Sequence, residues 1–81
     1  MKRDKAKEQF IKEFDHILME SIRLMSETSS LNICYEYRAY ALGAAMLMNR
    51  MKLIDDNDQW IIGASLTSMI NRMKEEGKFK E

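Results

Sequence analysis

None of the 81 residues is proline and only three are glycine. Almost nothing in the chain therefore forces the backbone out of a helix, because proline removes an amide donor and clashes with the preceding turn, while glycine adds backbone freedom that folding must remove. Met, Leu, Ala, Glu and Lys, all good helix formers, are abundant instead. Apolar residues recur at three- and four-residue steps, and no alternating strand pattern competes with them. The chain is expected to be all-α: a compact three-helix domain, in which polar clusters mark the turns.

Along the first segment, Phe10, Ile11, Phe14, Ile17, Leu18, Ile22 and Met25 form one apolar stripe, with Gln9, Glu13, His16, Glu20, Arg23 and Glu27 opposite. This spacing predicts an amphipathic helix over about 4–26. Ser26-Glu27-Thr28-Ser29-Ser30 then places the first turn and supplies side chains that can cap the next helix.

The second helix, about Leu31 to Met51, is apolar around most of its circumference. Its only charged residues before Lys52 are Glu36, Arg38 and Arg50, so burial on more than one side is expected. Projection at 100° per residue separates a main face of Ile33, Tyr37, Tyr40, Ala44, Leu47, Met48 and Met51 from a second stripe. That stripe, Tyr35, Ala39, Leu42, Met46, Asn49 and Leu53, advances by 4, 3, 4, 3 and 4 residues, the heptad spacing of a helix-packing seam. The main face is expected against the first and third helices. The stripe is expected against a second copy of the chain, with Ala39, Gly43 and Ala45 allowing close approach and Asn49 helping to fix register.

Asp55-Asp56-Asn57-Asp58-Gln59 opens the third helix, with Asp56 as the expected cap and Gln59 reaching back to it. Ile62, Leu66, Met69, Ile70 and Met73 share its inner face, while Trp60 and Ile61 project away and are candidate interface anchors. Gly77 is a natural stop. Fraying is expected at 1–6 and 78–81, within a single domain spanning 1–81.

Thirteen basic and thirteen acidic side chains cancel, so no overall field gathers phosphates or a membrane surface. Without an N-terminal apolar run, or a second cysteine to pair with Cys34, the sequence suggests a cytoplasmic protein without a membrane role. Glu13 and His16 have the E-x-x-H spacing of helical metal ligands but lie on the polar face, without carboxylates from other helices to complete a site. Counting an EF-hand loop from Asp55 puts Trp60 and Leu66 where Gly and Glu are needed. Cys34 lacks an adjacent base and reads as a small buried residue. No enzyme and no cofactor are therefore expected.

These observations predict a small protein-interaction or regulatory protein, an adaptor or inhibitor of a larger partner, acting as a homodimer. Its expected interface comprises Tyr35, Ala39, Leu42, Met46, Asn49, Leu53, Trp60 and Ile61. The alternative is a small DNA-binding regulator reading base edges with Asn71 and Arg72 of the third helix. Asp55, Asp56 and Asp58 at the start of that helix disfavour it, because they would face a polyanion.

Overall fold

Three residues, Thr28, Ser29 and Ser30, separate the first helix from the second in the computed structural model, which describes residues 5–80. The helices are α1 (Lys5–Glu27), α2 (Leu31–Arg50) and α3 (Asp56–Glu75), and no strand occurs among the described residues. Ser30 caps α2: its Oγ accepts from the Ile33 amide at 3.3 Å, while its own amide donates to Thr28 Oγ1 at 3.1 Å. So short a connection leaves α1 and α2 as antiparallel neighbours. On the solvent side of α1, Arg23 pairs with both Glu20 and Glu27. The same contacts with Arg23 hold the Glu20 carboxyl below its usual range.

Two helix ends use the same backbone device. At the end of α2, the Lys52 amide donates to the Asn49 carbonyl and the Leu53 amide to the Met48 carbonyl, with Lys52 in the left-handed region at φ 61. At the end of α3, the Gly77 amide donates to Lys74 and the Lys78 amide to Met73, with Gly77 at φ 70. Both are Schellman turns, in which a left-handed residue satisfies carbonyls that the helix leaves without partners. Gly77 is thus the stop that the sequence suggests.

The cap of α3 lies one residue earlier than expected. Asp55 Oδ1 accepts from the Asp58 amide at 2.8 Å, and Asp58 Oδ2 accepts from the Asp55 amide at 3.2 Å, a reciprocal capping box. The turn after Lys52 leaves Asp55 extended, at φ −105 and ψ 178, where its carboxylate reaches the first turn. Asp56 is already helical and, with Gln59, is taken by another partner: Asn49 Nδ2 donates to Asp56 Oδ1 at 2.7 Å and to Gln59 Oε1 at 2.6 Å.

The core draws Met25 from α1, Cys34 and Ala41 from α2, and Leu66, Ile70 and Met73 from α3. Burying a side chain such as Ile70, which is 2% exposed, contributes about 1.5–3 kcal/mol. The inner face expected for α3 is therefore present. The face of α2 is only partly the expected one: Ala44 and Met48 are buried and Tyr37 packs against the core, as expected, but the centre of the buried side has shifted. Cys34, Ala41, Ala44, Ala45 and Met48 are buried, whereas Ile33, Tyr40, Leu47 and Met51 from the expected main face are exposed. The helix is turned about 70° from that expectation on a wheel of 100° per residue. Packing explains the rotation: both neighbours rest on α2, and small side chains let two backbones approach one helix at once without overpacking.

The tail also differs from expectation. Lys5 and Ala6 are helical, and beyond Gly77 the half-buried Phe79 packs against the core while the Lys80 amide donates to the Ser29 carbonyl at 3.1 Å. Residues 78–80 are thus tied across the α1–α2 turn by an aromatic contact and a backbone bond that helical periodicity does not register. The expected fraying at 1–4 and at 81 falls outside the described residues.

Candidate interaction surface

Because Ala41, Ala44 and Ala45 face inward, α2 carries Tyr40 and Leu47 on the open side. Tyr40 is 60% exposed and Leu47 45% exposed. Phe14 and Ile17 of α1 join Ala39, Tyr40, Gly43, Ala44 and Leu47 around an apolar groove of about 330 Å³. The Phe10 and Phe14 rings stack with centroids 6.2 Å apart, and Tyr37 and Tyr40 form a tilted pair at the same separation. These contacts restrain the Phe14 and Tyr40 rings beside the groove. Ile33 and Met51 extend the exposed apolar surface along α2.

The expected seam is divided. Tyr35, Leu42, Asn49 and Leu53 are half-buried. Tyr35 packs on the core and its Oη accepts from Lys74 Nζ at 3.0 Å, while the Arg38 guanidinium lies 4.8 Å from its ring centroid. Leu42 reaches α3 at Gly63, and Asn49 ties the end of α2 to the first turn of α3. Leu53 lies in the connection between those helices. Only Ala39 and Met46 of this stripe are exposed. Trp60, 70% exposed, lines a second groove with Arg38, Leu42, Gly63, Ala64 and Thr67, while Ile61 is 47% exposed.

Sequence periodicity therefore misses Tyr40 and Leu47 as surface residues, together with their α1 neighbours Phe10, Phe14 and Ile17. One signal points to them: Ala41, Ala44 and Ala45 mark a side of α2 on which neighbouring helices can pack closely, and Tyr40 and Leu47 stand away from it. Weighting by hydrophobicity alone favours the wrong side, because alanine scores below leucine and tyrosine has the larger area.

The other candidate chemistry resolves into local structure. Glu13 and His16 are exposed, and Glu13 Oε1 accepts from Gln9 Nε2 at 2.9 Å. Among the described residues, no group of three or more His, Cys, Asp or Glu side chains is arranged to hold a metal ion. Cys34 is fully buried with its Sγ 3.8 Å from the Met25 carbonyl oxygen. Burial pushes its thiol pKa up, against a smaller opposing effect of the Arg38 charge. On α3, Asn71 and Arg72 are exposed, but Lys74 is engaged with Tyr35 and three exposed aspartates stand around the helix start. No described helix is long and apolar enough to cross a membrane.

No protein-family model, curated protein or solved structure matches the chain.

Proposed function

We propose that this chain is a small protein-interaction protein, an adaptor or inhibitor that acts by binding a larger protein and that self-associates through α2. The observation supporting this reading is the apolar surface across α1 and α2, where Phe10, Ile17, Tyr40 and Leu47 are each at least 41% exposed. A chain of this size has little area to devote to exposed aromatic and branched side chains, and clustered exposure of this kind accompanies binding surfaces. Self-association through the middle helix remains the reading, but its face is the one around Tyr40 and Leu47. Trp60, on the second groove, offers the larger partner an anchor of the type that dominates protein interfaces.

Quantitative affinity capture from the source cells tests this reading. A specific partner retained by wild type and the exposed-site control Asn71→Ala, but lost with Trp60→Ala, is the expected result. Failure to retain any protein selectively, together with tight duplex-DNA binding at physiological salt that Arg72→Ala removes, would overturn it in favour of α3 as a DNA reader.

A further inference from the structure

The exposed side of α2 has a symmetry that identifies one of its occupants. Glu36, Tyr40, Gly43, Leu47 and Arg50 follow one another at steps of 4, 3, 4 and 3, the spacing of a helix-packing seam. All lie on the side turned away from the buried Cys34, Ala41 and Ala45. Gly43 is the midpoint: Glu36 and Arg50 are each seven residues away, Ala39 and Leu47 each four, and Tyr40 and Met46 each three. A Cβ added at Gly43 would meet nothing within 4 Å, so the backbone there is open to close approach.

We propose that two copies of this chain pair through α2 as an antiparallel twofold dimer crossing at Gly43. This inference rests on the self-association part of the proposed function and gives it a partner and a register. An antiparallel crossing at Gly43 sets Glu36 of each copy opposite Arg50 of the other, so two complementary charge pairs close the ends of the seam. A parallel crossing sets Glu36 against Glu36 and Arg50 against Arg50, like charges that repel at both ends. Neither residue has an ion-pair partner within the described chain, so both charges remain available.

Shape follows the same register. Ala39 of one copy faces Leu47 of the other, and the groove beside Ala39, walled by Phe14 and Ile17, can receive that leucine. Tyr40 faces Met46 of the second copy, a flexible thioether against an aromatic ring.

Charge reversal with rescue tests the register. In sedimentation equilibrium over a concentration series, wild type should dimerise. Glu36→Arg and Arg50→Glu should each weaken dimerisation about 10-fold or more, and the double variant should recover it to within about 3-fold. Circular dichroism checks that each variant remains helical. Under mild oxidation Gly43→Cys should form a disulfide-linked dimer, because a residue on the axis meets its own copy, whereas the exposed control Asn71→Cys should not. A wild type that stays monomeric at high micromolar concentration overturns the dimer, while capture of the larger partner can still succeed. Dimerisation without rescue in the double variant overturns this register.

Discussion

Lys52→Gly should stabilise the fold even though it deletes an entire side chain. Lys52 holds φ 61 at the Schellman turn ending α2, the same place that Gly77 holds at φ 70 in the turn ending α3. Left-handed backbone costs an L-residue about 1–2 kcal/mol, because Cβ crowds the following carbonyl oxygen. Glycine is also freer in the unfolded chain, which offsets about 0.5–1 kcal/mol of the gain. The Lys52 side chain is exposed and forms no hydrogen bond or ion pair among the described residues, so little else is lost. The net gain is about 0.5–1 kcal/mol, or a midpoint rise of about 2–8 °C for a domain of this size. Thermal unfolding followed by far-ultraviolet circular dichroism reads this shift directly. Wild type and variant should be compared at one protein concentration, since self-association adds to apparent stability. Gly77→Ala should move the midpoint the other way by a similar amount. A Lys52→Gly midpoint at or below wild type, with an unchanged urea slope, would refute the left-handed turn at position 52.

Ile70→Ala removes a side chain that is 2% exposed and should cost about 2–4 kcal/mol in urea unfolding, against about 0.5 kcal/mol or less for the exposed Ile61→Ala; equal effects would contradict the orientation of α3. Phe79→Ala should cost about 1 kcal/mol by exposing the core beneath it, whereas an unchanged midpoint would mean that the tail is not docked. Burial raises the Cys34 pKa, so the stability held by its neutral thiol is complete below the unfolded value of about 8.5 and is lost as pH rises through the folded value. Wild type should therefore lose stability on the alkaline side more steeply than Cys34→Ala, and parallel pH profiles would count against a buried thiol.

The local signals in the sequence were enough to define the helices. Missing prolines, apolar residues at helical steps and a serine-rich break identify α1, the first turn and α2, because propensity and capping act over only a few residues. Gly77 marks the end of α3 for the same reason. The α3 cap was legible to within one residue, since adjacent aspartates are chemically equivalent until the path of the preceding turn selects Asp55. By contrast, the docking of Phe79 and Lys80 at the α1–α2 turn depends on residues about fifty positions apart, which local periodicity cannot connect.

The facing of α2 belongs to the tertiary structure. Its sequence is apolar nearly all round, so hydrophobic burial alone leaves several rotations about the helix axis close in energy. Volume selects among them. Two neighbouring helices can pack closely on a surface of Cys34, Ala41, Ala44 and Ala45, whereas Tyr40 and Leu47 would hold them apart. That choice turns Tyr35, Leu42 and Asn49 toward α3 and leaves Tyr40, Gly43 and Leu47 on the open side. The sequence by itself thus determined where the helices begin and end, because those decisions are local. Only the tertiary structure decided which side of α2 is core and which is surface, because that depends on how closely α1 and α3 can approach it.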